Sequence, residues 1–259
     1  QTQLPPGYKS DTCNTDTLLN RLQVKNGRLV LPGGVSYALL VFPDEPIVTL
    51  PVLEKLQQLL EAGARVLAPP PAGFSGRPLG PAQREEADRI IEALWGSFDG
   101  HGPYGKKIGE GYLSWRREME TELEAMRLAP DFAYSASVNP HVNFIHRKWG
   151  DVDYYFVANP EDVEKAGEYG FRVTGRTPQW WNPVTGKIHA IEDYRDDGAR
   201  TAITMNLGPS ESRLIVFGAS GTPDGVPLKS VEDPQESPAK LKNDWSIQFV
   251  DGYGAPASI

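Results

Sequence analysis

The residues of this chain that could do chemistry are few. Of its histidines at 101, 141, 146 and 189, none shows H-E-x-x-H or a comparable metal-ligand spacing. His146 stands out because Arg147 follows it in a strand-like run. Neighbours on a strand point to opposite faces, so only one of the two can face a shared pocket. The plainer alternative is a packing histidine beside a surface arginine. Trp180 and Trp181 offer aromatic faces on which a sugar ring could stack, or else one ring for the core and one for a surface or domain interface. Glycoside hydrolysis needs two carboxyl groups facing each other across roughly 5–10 Å. Glu118, Glu120, Glu122 and Glu124 alternate along a helix and spread around it, and adjacent Glu85 and Glu86 diverge, so no local pattern supplies the pair. A pair distant in sequence stays open.

Three further motifs lack the context their chemistry needs. Cys13 would need a sharp strand-to-helix turn and a histidine base to act as a nucleophile, but it precedes the first clear strand. Around Ser75, Arg77 stands where a nucleophile elbow has its second glycine. Residues 100–105 match G-x-G-x-x-G, yet a helix pattern precedes them and a strand-like Lys106-Lys107-Ile108 follows, the reverse of a dinucleotide fingerprint.

The elements that must position these residues change character along the chain. Arg28-Leu29-Val30-Leu31 and the apolar run at 37–42 suit buried parallel strands, separated by Pro32-Gly33-Gly34. Thr49 then caps a helix with Pro51 in its first turn, Leu53, Leu56 and Leu60 on one face and Gly63 at its end. The run at 64–68 is the next strand, completing a strand–helix–strand unit. A second helix starts at Pro81 and closes at Gly96, and Trp115, Met119, Leu123 and Met126 follow helical spacing. After Pro140 the rhythm becomes alternating: Val142, Phe144 and His146, a turn at 148–151, then strands at 152–158, 171–173, 178–181, 201–207 and 213–217. The expected fold class is α/β plus all-β. A Rossmann-like or flavodoxin-like α/β layer over 1–135 precedes an antiparallel β-sandwich over 136–220. The Pro-, Ser- and Gly-rich stretch at 221–241 suits a linker, and 242–259 the unfinished start of a further β domain.

At 259 residues the chain has room for one or two real cores. Its 39% hydrophobic and 10% aromatic content fits a folded chain rather than a disordered one. A net charge of −8 without a basic cluster argues against nucleic acid and anionic membrane surfaces as partners, and no apolar run suggests membrane insertion. One cysteine excludes an internal disulfide framework. The chain opens on Gln1 and stops soon after a strand-like run at 245–250, so a piece of a longer protein is expected, and the lack of a signal segment says nothing about export.

Several phrases, taken in order over about 7–218, carry a resemblance. They are residues 8–16 leading to Leu18-Leu19, then 24–32 and 37–43, then His146-Arg147, 155–159 and Trp181-Asn182-Pro183-Val184-Thr185-Gly186. The chain resembles the C-terminal part of glycoside hydrolase family 106 proteins, the α-L-rhamnosidase-like enzymes. The resemblance implies a catalytic (β/α)8 barrel elsewhere in the same parent chain, a carbohydrate substrate, and periplasmic or secreted bacterial localisation. It implies that calcium, where present, belongs to the parent enzyme, with no cofactor in this stretch. No position here matches the family's catalytic carboxylates. Tyr8, Asp11, Asn14 and Asp16 would follow the barrel directly and lie near its mouth, or else form a capped turn before Leu18. The expectation is an accessory region, with a carbohydrate-binding module as the alternative and Tyr8, Asp11, Asn14, Asp16, His146, Arg147, Trp180 and Trp181 as candidate binding residues.

Overall fold

A computed structural model describes residues 4–96, 104–135 and 142–218. The stretches expected as linker and further β domain, His101 and His141 lie outside the described residues. The described chain is mostly β-sheet with few helices. No helix in it is long and apolar enough to cross a membrane.

A single π turn, Thr17–Arg21, leads into an antiparallel sheet of β1 (Gln23–Lys25), β2 (Arg28–Val30) and β3 (Ser36–Tyr37). The run at 28–31 is therefore not the parallel strand its composition suggests. Asn26 and Gly27 both have positive φ, 52° and 71°, which is the backbone a two-residue hairpin needs between Lys25 and Arg28.

Next come β4 (Leu40–Val41), β5 (Ile47–Val48), α1 (Leu50–Glu61), β6 (Arg65–Leu67), β7 (Gly73–Phe74), α2 (Pro81–Trp95), β8 (Tyr104–Ile108), β9 (Gly111–Trp115) and α3 (Met119–Ala125). One sheet has the order β4-β6-β9-β8; its first three strands are parallel and β8 is antiparallel to β9. β5 and β7 form a separate parallel pair. The strand–helix–strand unit is present, but its parallel core is three short strands. Leu53, Leu56, Leu59 and Leu60 of α1 pack with Val66, Leu113, Ile90 and Leu94 in a mainly aliphatic core. Trp115 ends a strand instead of opening a helix. Arg116, at φ 53°, turns the chain before α3 begins.

The remaining strands are β10 (Phe132–Tyr134), β11 (Asn143–Trp149), β12 (Val152–Ala158), β13 (Lys165–Phe171), β14 (Pro178–Trp181), β15 (Ile188–Ala190), β16 (Tyr194–Asp196), β17 (Thr201–Leu207) and β18 (Ser212–Phe217). They form two antiparallel sheets, β10-β13-β17-β16 and β11-β12-β18-β14-β15. Their inward faces share one core rich in rings: Phe132, Phe144, Tyr155, Tyr169, Phe171, Trp180 and Phe217. β10 pairs with β13, so the segment just before residue 135 already belongs to this unit.

The N-terminal segment fastens the two units together. The carbonyl of Gly7 accepts from Asp131 N at 2.8 Å and Phe132 N at 3.2 Å. Tyr8 Oη donates to Leu128 O at 2.6 Å, and Lys9 Nζ lies 4.5 Å from the centre of the Phe144 ring. Leu4 and Tyr8 also pack against Leu67, Met119 and Leu123. Gly7 has φ 84°, and a Cβ there would sit 2.1 Å from Phe132 O, so only glycine fits this approach.

Candidate functional site

His146 lies on β11 directly opposite Tyr155 of β12, in a register fixed by the two-residue turn at Gly150 and Asp151. The imidazole stacks on the Tyr155 ring, centroids 4.0 Å apart and planes 11° from parallel. Both ring nitrogens face carboxylates. Nδ1 is 2.9 and 3.1 Å from the two Asp131 oxygens, and Nε2 is 2.8 Å from Asp153 Oδ1. Asp131 immediately precedes β10 of one sheet and Asp153 lies on β12 of the other, so the ring bridges the sandwich at its edge.

The carboxylates are themselves held. Asp131 Oδ1 accepts from Tyr155 Oη at 3.0 Å and Arg172 Nη2 at 3.2 Å. Asp153 Oδ2 accepts from Arg176 Nη1 at 2.6 Å, with Lys148 Nζ 3.9 Å away. Two acceptors on two ring nitrogens call for two N–H donors, which is the imidazolium. Burial opposes that charge, but the hydrogen bonds and charges of Asp131 and then Asp153 outweigh it and raise the imidazole pKa above its ordinary value. Burial likewise opposes the Asp131 charge. His146, then Arg172 and Tyr155, overcome it and hold the carboxyl below its usual range. Burial, followed by the Asp131 charge, pushes the Tyr155 phenol far above its ordinary value. The cluster therefore favours the protonated imidazole and the ionised Asp131 carboxyl. A general acid that donates and recovers a proton in each turnover needs the opposite.

The expected companions of His146 go elsewhere. Arg147 points to the other face of the sheet, exposed, with Nη1 donating to His146 O at 3.1 Å. Trp180 is 1% exposed and lies between the His189 ring, 4.9 Å away, and the Arg213 guanidinium, 4.3 Å away. No sugar ring can reach it. Trp181 is half-buried on the outer face, edge-on to Tyr154 at 6.1 Å. It shares a cross-strand row there with Phe156, Leu214 and Ile188. Asp11 accepts from Tyr37 Oη at 2.8 Å, Asn14 Oδ1 accepts from Thr17 N at 2.9 Å, and Asp16 Oδ1 accepts from Asn20 Nδ2 at 2.9 Å. These three are exposed residues that shape the π turn and its flank, and Tyr8 alone reaches the joint beside Asp131.

Asp131, Asp153, Tyr155, Arg172 and Arg176 were not among the residues the sequence suggested. Asp153 and Tyr155 were within reach of it, because the turn at 148–151 sets which residues oppose His146. Asp131, Arg172 and Arg176 come from other strands' flanks and carry no local signal.

A cleft of about 930 Å³ opens at the carboxyl ends of β4, β6 and β9, lined by Phe42, Asp44, Pro69, Arg116, Arg117 and Glu120 among others. It offers carboxylates and guanidiniums but no histidine, cysteine or serine. Among the described residues, no group of three or more His, Cys, Asp or Glu side chains is arranged to hold a metal ion.

The chain is similar over nearly its whole length to known proteins much longer than itself. A rhamnosidase from Novosphingobium sp. PP1Y has a solved structure that superposes with a TM-score of 0.74 at 30% identity, covering 99% of this chain and 24% of that one. A protein of Formosa agariphila named "Putative beta-glucuronidase" is 27% identical over 213 residues, 82% of this chain and 17% of that protein. The chain thus spans about a quarter or less of either relative. Residues 1–196 match the sequence profile of glycoside hydrolase family 106, described as alpha-L-rhamnosidase. With that match covering more than half its length, the chain belongs to glycoside hydrolase family 106, the α-L-rhamnosidase family.

Proposed function

We propose that this chain is the accessory region of a glycoside hydrolase that cleaves rhamnose-containing glycans. Its partner would be a catalytic barrel in the same parent polypeptide. In this reading the N-terminal unit is a Rossmann-like layer reduced to three parallel strands, and layer and sandwich together buttress the barrel. Any calcium the parent enzyme carries would be bound outside this region.

The observation that carries the reading is the state of the carboxyl pair around His146. Asp131 and Asp153 face each other with the His146 ring filling the space between them. Glycoside hydrolysis needs that space for a sugar and needs one carboxyl to hold a proton. Asp131 is instead kept ionised by His146, Arg172 and Tyr155. The test is hydrolysis of an aryl rhamnoside by residues 1–259 expressed alone. No turnover above background is expected. Clear turnover that disappears in Asp131→Asn would overturn the reading.

A second reading, a carbohydrate-binding module, is favoured by one observation. The outer face of the five-stranded sheet exposes Phe156 and carries half-buried Trp181 and Tyr154, with largely exposed Trp149 at its margin. Titration of rhamnose-rich oligosaccharides against tryptophan fluorescence tests it. A response lost in Trp181→Ala supports binding, and a flat response removes it.

A further inference from the structure

The His146 cluster sits at the joint between the two units, and this position gives its proton a mechanical consequence. Residues 128–132 pass between the units and are gripped from both sides. From the N-terminal segment, Gly7 O accepts from the Asp131 and Phe132 amides, and Tyr8 Oη donates to Leu128 O. From the sandwich, Arg172 Nη1 donates to Ala129 O at 3.1 Å and Arg172 N to Asp131 O at 3.0 Å. The Asp131 side chain adds a further grip beside the β10–β13 pairing of Phe132, and His146 is its shortest contact.

We propose that His146 is a proton-operated fastener of this joint: the doubly protonated imidazole ties Asp131 at the joint to Asp153 in the five-stranded sheet, and loss of one ring proton loosens 4–9 and 128–132. The geometry requires the coupling. A neutral imidazole has one N–H, so one nitrogen would turn a lone pair toward a carboxylate oxygen 2.8 or 2.9 Å away. One of the two contacts must then open.

The groups facing the ring are Asp131 before β10, Asp153 and Tyr155 on β12, and Arg172 and Arg176 after β13. Lys148 of β11 reaches Asp153 as well. Imidazole is the one side-chain type in this set that titrates near neutrality. The arginines stay charged throughout, so the carboxylates keep partners and the joint loosens without the sandwich unfolding. Because the folded-state imidazole pKa lies above the ordinary 6.5, the fastening is complete below that value. It is lost as pH rises through the folded one. The device does not depend on the accessory reading above.

Amide hydrogen exchange on the 259-residue chain tests this, corrected for the intrinsic pH dependence of exchange and followed from about pH 6 to about pH 9. The amides of Asp131 and Phe132, which both donate to Gly7 O, are expected to lose protection roughly tenfold or more, the effect of one charge-assisted hydrogen bond, while those of α1 and β17 stay unchanged. His146→Gln should remove the pH slope at the joint. Asp153→Asn keeps the histidine but takes away one of its carboxylates, so the loss should move to lower pH. A flat wild-type profile overturns the proposal. So does the same slope in His146→Gln or, if that variant fails to fold, an unmoved midpoint in Asp153→Asn.

Discussion

Among the described residues, each unit sets a charge cluster beside the joint, and the two are built in opposite senses. In the α/β unit, Glu122 of α3 is fully buried between two guanidiniums, Arg65 Nε at 3.0 Å and Arg117 Nη1 at 3.3 Å. In the sandwich, one imidazolium lies between two carboxylates. Both clusters flank the same joint, since α3 ends just before residues 128–132 and Asp131 lies within them. A carboxylate between arginines has no member that changes charge near neutrality. A histidine between carboxylates has one. Two satisfied ionic clusters of similar size thus differ in kind. The first can only hold, whereas the second holds under a condition.

Loss of the buried carboxylate between the two guanidiniums is expected to cost most. Glu122→Gln leaves two inward-facing guanidiniums without their counter-charge. Deleting one partner of a buried pair costs about 3–5 kcal/mol, and the part exposure of both arginines puts this case near about 3 kcal/mol. Urea unfolding should show that loss undiminished from neutral to mildly alkaline pH. Gly7→Ala comes next. Forcing a Cβ into left-handed backbone against Phe132 O should cost about 1–3 kcal/mol, and proteolysis at the joint should quicken at every pH.

The pH dependence of the wild type is smaller and has two limbs. His146 contributes fully below 6.5 and its share fades as pH rises through its raised folded value. Asp131 works the other way. Its folded pKa lies below the ordinary 3.8, so its share is present above that value and is lost as pH falls through the folded one. Urea midpoints should therefore fall away on both sides of a plateau. Asp131→Asn should flatten both limbs, whereas Glu122→Gln should leave their positions unchanged.

Legibility in the sequence followed how local each feature is. Helices α1 and α2 were readable from Pro51, Pro81, the leucine spacing and the closing glycines Gly63 and Gly96. The hairpin of β11 and β12 was readable from alternation on both sides of Gly150. β10, β15 and β16 are three-residue strands whose pairing is decided by neighbours far along the chain, and no local pattern marked them. Asn26-Gly27 marks a hairpin between β1 and β2, whereas the apolar content of 28–31 taken alone suggests a parallel strand. At the site, His146 was singled out but its environment was not. Asp131 and His146 meet across two sheets, a contact that exists only once the sandwich has closed.

The smallest predicted effect tests whether the sandwich cluster is one-sided. Arg147 follows His146 directly, and strand alternation allows only one of the two to face a shared pocket. On β11 its side chain lies on the outer face, exposed, with a single hydrogen bond to His146 O. That bond competes with water on both partners, so Arg147→Ala should change stability by less than about 0.5 kcal/mol. It should also leave the alkaline limb where it is, since a screened charge on the far side of the strand barely acts on the imidazolium. A displaced limb in Arg147→Ala would mean that the guanidinium reaches the cluster around the sheet edge. An unmoved one confines the proton-sensitive grip to the inward face, where Asp131 and Asp153 already account for it.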